Sequence, residues 1–220
     1  MHDRKTSLTI VPDFIDNNDA CRIIDLISKN SNNFASDKTE DGRQVSQDNL
    51  TPGNMGWKEA PTKLRNGSSY YIPTFSENPE PVEGNGFLVN YREDGELWSL
   101  TDNCVNAISE YIKNLFDIKE LSCMAAMLRQ GGINANIPPH QDGPMLNGGV
   151  WTDIDFSCFI ILNNDFSGGS IRFEELGISW EPVARSAVFL CNTSTKEMVH
   201  EIQKVTSGER YSINTFWTAS

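Results

Sequence analysis

The second half of the chain is a succession of short apolar segments, rich in β-branched and aromatic residues, with turn-forming residues between them. These segments are Cys123–Leu128, Phe156–Leu162, Ser170–Phe173, Ser186–Cys191 and Arg210–Trp217. Segments of this length and composition are typical of strands. Breaks such as Asp165–Gly169 supply the glycine and polar residues of tight turns. Several short strands in succession predict a sandwich or a barrel.

The first half carries the signals of one strand and two helices. Leu8–Phe14 has a strand-like composition, and several possible helix caps follow it, ahead of an amphipathic pattern that reaches Ile27. A second helical periodicity runs from Trp98 to Ile118. The first half therefore predicts a helical layer against which the strands of the second half can pack.

The segment from 30 to 83 differs from both halves in composition. It is rich in Asn, Ser, Asp, Gly and Pro, too polar to form continuous core and too long for an ordinary connection. Loops of this length are either functional or unstructured. We predict a substrate lid here, and a disordered insertion whose aromatic residues pack locally is the alternative.

These patterns together predict a single domain over residues 1–220, of mostly β structure with supporting helices (α+β). Its jelly-roll core spans 121–217, and residues 8–120 form the helical support and lid region. The chain is long enough to bury a core without disulfide or metal cross-links.

Charge and apolar content restrict the possible partners. With 18 Lys and Arg against 30 Asp and Glu, the net charge of −12 disfavours nucleic acid and anionic membrane surfaces. The longest apolar run, Cys158–Leu162, is far shorter than the roughly 20 residues of a membrane-spanning helix. We expect no membrane partner and a cytoplasmic location, and the oligomeric state is left open.

The five cysteines stand singly along the chain and never in a Cys-x-x-Cys spacing. This distribution predicts neither a disulfide framework nor a thiolate zinc site. We expect reduced and mostly buried thiols.

Two of the three histidines occur in a context that suggests metal binding. His140 and Asp142 would project to the same side of an extended segment, and His200 follows 60 residues later, after a predicted strand. Two imidazoles and one carboxylate with open positions are the ligand set of non-haem Fe(II) oxygenases. Zinc would accept the same ligands, and a plain surface turn at His140–Asp142 is the alternative without a metal.

The last predicted strand adds a candidate anion site. Arg210 and Ser212 share one face of this strand, ten residues after His200, and Asn214 shares that face. A guanidinium matches a carboxylate with two parallel hydrogen bonds, and a hydroxyl beside it can donate a third. The apolar neighbours of Arg210 indicate a buried strand rather than an exposed edge, and a buried Arg needs an anionic partner.

The order and spacing of these residues resemble the Fe(II)/2-oxoglutarate-dependent dioxygenases, specifically the prolyl-4-hydroxylase-like branch. The resemblance extends from Leu8 to Trp217, apart from the polar segment. Its motifs are Val11–Ile15, His140-x-Asp142, Phe159–Asn163, Phe166-x-Gly168-Gly169-x-Ile171-Arg172-Phe173, Ala187–Leu190, His200–Ile202 and Arg210–Ile213.

The resemblance implies a double-stranded β-helix with His140, Asp142 and His200 as iron ligands. It also implies that Arg210, helped by Ser212, binds the distal carboxylate of 2-oxoglutarate. The implied reaction is hydroxylation with O2, yielding succinate and CO2, and ascorbate is a candidate further cofactor. The implied substrate is a prolyl residue in a protein or peptide, or a small amino-acid-like molecule.

Two positions depart from the family pattern. Many relatives place a Tyr about ten residues before the first His, and this sequence has Gln130 there. Because an amide can still donate a hydrogen bond, Gln130 is a candidate contact to the cosubstrate. Ile161 stands where some relatives carry an aromatic hydroxyl.

Three other functions remain open at this stage. Nucleic-acid demethylation, in the same enzyme class, is disfavoured by the acidic charge and by Phe216, where that branch would repeat an Arg. A cupin-like module could bind a metal or sense a ligand without redox chemistry. A purely structural jelly roll would bind no metal at all.

Overall fold

A computed structural model describes residues 8–29, 34–36, 58–63, 69–72, 86–88, 95–147, 150–192 and 198–219. The helices are α1 (Asn17–Lys29) and α2 (Gly95–Phe116). The strands are β1 (Leu8–Val11), β2 (Phe34–Ser36), β3 (Lys58–Lys63), β4 (Ser69–Ile72), β5 (Gly86–Leu88), β6 (Leu121–Gly131), β7 (Ile137–His140), β8 (Met145–Asn147), β9 (Val150–Thr152), β10 (Phe156–Ile161), β11 (Ser167–Gly168), β12 (Ile171–Phe173), β13 (Ile178–Trp180), β14 (Ala187–Cys191), β15 (His200–Ile202), β16 (Val205–Ser207) and β17 (Arg210–Ala219).

Two antiparallel sheets form the core. The large sheet has seven strands in the order β1-β14-β10-β17-β6-β5-β2, and the small sheet has four in the order β13-β12-β15-β7. An apolar cluster lies between them, containing Phe159 and Val188 from the large sheet with Phe173 and Ile202 from the small one. The predicted fold is confirmed: it is mostly β with two supporting helices, and its core is a double-stranded β-helix of the jelly-roll type.

The helices cover the outer face of the large sheet. Asp16 caps α1, since its carboxylate accepts a hydrogen bond from the backbone N–H of Asn18 at 2.7 Å. Ile23 of α1 and Ile108 of α2 are fully buried in the cluster that also holds Ile213 of β17. Neither described helix combines the length and apolar content needed to cross a membrane. The helical layer therefore fixes the large sheet from one side and leaves its other face for the site.

Alternation along the central strands decides which side chains reach the interior. In β17, Tyr211 and Ile213 belong to the apolar cluster between the large sheet and the two helices, called here the helix-side cluster. Arg210, Ser212 and Asn214 alternate with these two residues along the strand and face the small sheet instead. The face predicted for Arg210 and Ser212 is thus the inner one.

The polar segment at 30–83 contains three of the described strands. β2 pairs with β5, which pairs with β6 and so extends the large sheet, while β3 and β4 pair with each other. Most of the predicted lid lies outside the described residues. Together with β1, strands β2 and β5 show that the support region also supplies strands to the large sheet.

Candidate metal centre and cosubstrate pocket

The two candidate histidine ligands stand opposite each other on neighbouring strands of the small sheet. β7 ends at His140 and pairs with β15, with His140 directly across from His200. Directly opposite residues of an antiparallel pair point to the same face. The two imidazole centroids are accordingly 4.4 Å apart.

Asp142 completes the cluster from the segment that follows β7. Its Oδ1 lies 3.5 Å from Nε2 of His140. One ligand atom from each of His140, Asp142 and His200 lies within 4.8 Å of the other two. The structure therefore brings together the three residues that the sequence analysis singled out as metal ligands.

Hydrogen bonding fixes the orientation of His200. Its Nδ1 lies 2.9 Å from the carbonyl oxygen of Met198. Because a carbonyl can only accept, Nδ1 carries the proton and Nε2 keeps its lone pair. Burial, and then the neighbouring His140, lower the pKa of His200 to about 4 despite the nearby Asp142. His200 is thus a neutral imidazole near pH 7, the form that binds metals.

Asp142 is ionised and held by a polar network. Burial acts to raise its pKa, but the hydrogen bond from His140, the positive charges of the two histidines at acidic pH and a hydrogen bond from Ser157 outweigh burial and lower the pKa to about 2. Asn192 in turn donates to the Ser157 hydroxyl at 2.8 Å. The Oδ2 of Asp142 is buried and has no hydrogen-bond partner. A cation bound by the cluster would supply that missing partner.

The Ser157 to Asn192 link did not emerge from the sequence. Ser157 is a fully buried polar residue in β10, whose other residues are all apolar. One hydroxyl inside such a strand is the signal that could have identified it, because a buried hydroxyl needs a partner.

Arg210 lies in a small pocket between the two sheets. The pocket is shallow: its empty space amounts to about 210 Å³ only when the open solvent at its mouth is included. Its lining includes Arg129, Gly131, Asn136, Ile137, Ile202 and Arg210. Ile202 lies two residues after His200 on the same strand, which places the pocket beside the metal cluster, at a strand spacing of roughly 7 Å.

The Arg210 side chain has unsatisfied donors. Arg210 is 4% exposed, and its Nε and Nη2 have no hydrogen-bond partner. Burial, and then the charge of Arg129, lower the pKa of Arg210 to about 9. It remains cationic near pH 7, and a buried cation with unsatisfied donors fits an anionic ligand.

Ser212 has the predicted position but a different partner. It is fully buried on the face that carries Arg210, and its hydroxyl donates to Oδ1 of Asn214 at 2.9 Å. Ile161 of β10 stands directly across from Ser212. The proton that Ser212 was predicted to offer to a carboxylate is therefore directed to Asn214.

Gln130 lies on the face of β6 that packs against the helices. Its side chain donates to the Tyr211 hydroxyl at 3.3 Å, and Tyr211 belongs to the helix-side cluster. This placement argues against Gln130 as a contact to the cosubstrate. The residue that β6 turns toward Arg210 is Arg129, which the sequence analysis did not identify.

The site as a whole fits a divalent cation and a neighbouring carboxylate. The cluster offers a neutral imidazole with its lone pair available and a carboxylate with an unpartnered oxygen. Next to it, Arg210, with two unpartnered nitrogens, lines a pocket that also includes Arg129, Asn136 and several apolar residues. Three ligands of this kind would leave positions open on a bound divalent metal, as in non-haem iron sites.

Several solved structures share this fold along nearly its whole length. One is the viral collagen prolyl hydroxylase of Paramecium Bursaria Chlorella virus-1 in a 2OG complex, with 13% identity and a TM-score of 0.59 over 98% of this chain and 97% of that chain. A 2OG-Fe(II) oxygenase family protein from Burkholderia pseudomallei has 16% identity and a TM-score of 0.56 over 98% and 86% of the two chains.

A third structure is a prolyl hydroxylase from Trichoplax adhaerens in complex with a peptide fragment of the hypoxia inducible factor oxygen degradation domain. It has 14% identity and a TM-score of 0.56 over 97% of this chain and 84% of that chain. No protein-family model matches the chain, and neither does any curated protein. At these identities the likeness establishes the fold: this chain is built on the double-stranded β-helix of the 2OG-Fe(II) oxygenases and prolyl hydroxylases.

Proposed function

We propose that this protein is an iron- and 2-oxoglutarate-dependent dioxygenase that hydroxylates its substrate. The observation that carries the proposal is the cluster of His140, Asp142 and His200 beside a buried Arg210 with unpartnered donors. Neither the metal cluster alone nor the buried arginine alone specifies the reaction. A metal triad next to an anion pocket, on this fold, matches a keto acid that binds a metal at one end and a guanidinium at the other.

His140, Asp142 and His200 would hold ferrous iron, and Arg210 would hold the distal carboxylate of 2-oxoglutarate. When bound, the iron and the keto acid supply the oxidising power for hydroxylation by O2, with succinate and CO2 as co-products. The neutral His200 offers Nε2 without first losing a proton. The ionised Asp142 would offset part of the metal charge.

The surroundings of the cluster restrict access of water. The rings of Phe159 and Phe173 lie 5.4 Å and 5.7 Å from the imidazole of His200. Both are fully or almost fully buried between the sheets. An apolar wall of this kind keeps solvent from a reactive centre and strengthens the electrostatic interactions inside it.

A prolyl residue in a protein or peptide is the proposed substrate, with a small amino-acid-like molecule as the alternative. Two of the solved structures described above are prolyl hydroxylases, and one of those holds a peptide. The net charge of −12 favours association with a basic peptide. These points support the class of substrate and leave its sequence open.

The test is succinate formation from 2-oxoglutarate with ferrous iron and O2. Wild type is compared with His140→Ala, Arg210→Ala and the control Arg172→Ala, an Arg whose side chain is 45% exposed. We expect iron-dependent succinate formation in wild type and the control, and a loss of 100-fold or more in the two site variants, on the order of 3 kcal/mol. Equal, iron-independent rates in all four proteins would refute the proposal.

Two further measurements separate the remaining alternatives. Metal analysis of the purified protein, together with oxygen consumption, distinguishes an oxygenase from a zinc-binding module without redox chemistry. A mass-spectrometric search for a gain of one oxygen atom in candidate peptides and free amino acids then identifies the substrate.

A further inference from the structure

An asparagine side chain shares the pocket between the sheets with Arg210. Asn136 directly precedes Ile137, the first residue of β7, and both Asn136 and Arg210 line the pocket. Asn136 is partly buried, while its Oδ1 is fully buried and has no hydrogen-bond partner. Buried polar atoms are normally paired, so the pocket holds a second polar side chain, besides Arg210, whose hydrogen bonding is incomplete.

The backbone holds Asn136 in place on both sides. The carbonyl oxygen of Ala135 accepts a hydrogen bond from the N–H of Val205 at 3.0 Å. On the other side, Ile137 stands opposite Ile202 in the pairing of β7 with β15. The fold therefore determines where the amide lies, although the buried oxygen of the amide makes no hydrogen bond of its own.

Asn136 lies at the end of β7 that is remote from the metal cluster. His140 follows it by four residues, roughly 13 Å along an extended strand. Arg210 lines the same pocket as Asn136. Asn136 is therefore placed to contact the far end of a ligand that reaches from the metal to Arg210, rather than to bind the metal.

Arg210 does not fill all the acceptor positions of a carboxylate. Its unpartnered donors are Nε and Nη2, whereas a carboxylate has two oxygens with about four lone-pair positions. The amide of Asn136 can supply a further donor, because rotation about its last side-chain torsion is soft and exchanges Oδ1 for Nδ2. This exchange would replace the buried, unpartnered acceptor by an N–H donor.

We propose that Asn136 is a specificity-determining residue of the cosubstrate pocket, whose amide nitrogen donates to the distal carboxylate of the keto acid beside Arg210. The proposal rests on the proposed function for the identity of the keto acid. The guanidinium reaches the carboxylate from the large sheet, and the amide reaches it from the beginning of β7 in the small sheet. Because the amide donates only to a ligand that carries an acceptor at this end, it adds to the preference for dicarboxylates.

The first test uses metal-free protein and glutarate, a five-carbon dicarboxylate that lacks the keto group. Calorimetry measures its affinity for wild type, Asn136→Asp, Asn136→Ala and the control Asn106→Ala, which replaces an exposed asparagine of α2. Asn136→Asp keeps the shape of the side chain, removes the donor and adds a negative charge to the pocket. We expect glutarate affinity to fall tenfold or more in Asn136→Asp and about fivefold in Asn136→Ala, since a hydrogen bond to a charged group is lost. The control is expected to match wild type.

The second test measures selectivity in the iron-loaded protein. Wild type is expected to prefer 2-oxoglutarate over 2-oxopentanoate, which has the same number of carbons and no distal carboxylate. Asn136→Ala is expected to reduce that ratio of kcat/KM values about fivefold, through KM for 2-oxoglutarate, whereas a residue that only supports the fold would affect both keto acids alike. Thermal unfolding of each variant verifies its folding, and Asn136→Ser serves if Asn136→Ala does not fold.

The outcomes distinguish this proposal from the proposed function. Wild-type glutarate affinity in either Asn136 variant, no glutarate binding in wild type, or an unchanged selectivity ratio would overturn the role of Asn136. A wild-type protein that forms no succinate, yet loses glutarate affinity in both Asn136 variants, would refute the dioxygenase activity and support the carboxylate contact.

Discussion

At the scale of single residues, the site depends on side chains whose hydrogen bonds fix their protonation and direction. The contact between Nδ1 of His200 and the Met198 carbonyl determines which nitrogen is available to a metal. The Ser157 hydroxyl donates a hydrogen bond that helps to keep Asp142 ionised, and the Asn192 amide in turn holds the Ser157 hydroxyl. Such supporting groups orient ligands before the metal arrives and so lower the cost of binding it.

The three residues of the His-Asp-His cluster were predictable from sequence, but the residues that support them were not. Histidine is rare in this chain, and the order of His140, Asp142, His200 and Arg210 matches a family pattern, so sequence and resemblance together pointed to these residues. Ser157 and Asn192 are common residue types whose role depends on where β10 and β14 place them in space. Only the fold brings these residues to the carboxylate.

Replacing Ser157 by Ala should weaken metal binding without unfolding the protein. The change removes a hydrogen bond that helps to hold Asp142 ionised and directed into the cluster. We expect roughly tenfold lower affinity for Mn²⁺ or Fe²⁺, the size typical of residues that support metal ligands. Calorimetric titration measures it, with Ser186→Ala, another buried serine, as the control. Unchanged affinity in Ser157→Ala would mean that Asp142 is oriented by other contacts.

At the scale of elements, the faces of β6 and β17 decide which residues reach the pocket. Counting back from His140 led to Gln130, but the chain turns between them, where Asn134 has a φ of 68°. A turn interrupts the alternation of a strand, so a count across it does not preserve the face. Leu128 in the helix-side cluster gives the correct alternation and places Arg129 on the inner face.

Two glycines with left-handed backbone provide a matched test of the turn that supports Arg210. A Cβ on Gly168, at φ of 73°, would lie 2.1 Å from the carbonyl oxygen of Lys204. A Cβ on Gly177, at φ of 63°, would meet nothing within 4 Å. A Cβ added to the neighbouring Gly169 would lie 3.2 Å from Cδ of Arg210, so this turn runs close to the arginine side chain.

We therefore expect Gly168→Ala to destabilise the protein by about 3 kcal/mol or more, since backbone strain and a backbone clash combine. Gly177→Ala should cost only about 1 to 2 kcal/mol, the cost of the left-handed conformation alone. Urea unfolding measures both values. Similar losses in the two variants would show that the close approach to Lys204 does not limit substitution.

At the scale of the whole molecule, buried thiols should make the free energy of unfolding fall as the pH becomes alkaline. All five cysteines are free, and Cys104, Cys123 and Cys158 are buried. Burial, and then the charge of Asp19, raise the pKa of Cys104 to about 12 from 9.0. Because the folded pKa lies above the unfolded one, the stabilisation is complete below pH 9 and is lost as the pH rises toward 12.

For each buried thiol, the free energy of unfolding should fall by up to about 1.4 kcal/mol per pH unit above pH 9. Urea unfolding at pH 8, 9 and 10 is expected to show a steeper decline in wild type than in Cys104→Ala. The exposed Cys21 supplies the control, since Cys21→Ala should decline like wild type. A decline of equal slope in all three proteins would contradict the assignment to Cys104.

The two sheets divide the site between them. The small sheet carries His140 and His200, with Asp142 just beyond its strand β7, while the large sheet carries Arg129 and Arg210. The pocket between them is lined from both sides. A keto acid that reached from the metal to Arg210 would therefore bind charged groups of both sheets. A metal alone would bind those at the small sheet, and the carboxylate of a dicarboxylate alone would pair with Arg210 on the large sheet.

This division predicts a specific pattern of coupling between ligands. Mn²⁺ should strengthen the binding of 2-oxoglutarate to wild type by tenfold or more, and 2-oxoglutarate should strengthen Mn²⁺ binding by the same factor, because coupling is reciprocal. Glutarate has no keto group to offer the metal, so its affinity should be nearly independent of Mn²⁺. In His140→Ala the metal effect on 2-oxoglutarate should vanish while glutarate binding persists, and calorimetry in the absence of O2 measures each case. A loss of glutarate binding in His140→Ala would contradict this prediction. It would show that the pocket around Arg210 binds an anion only when the metal-ligand residues are intact.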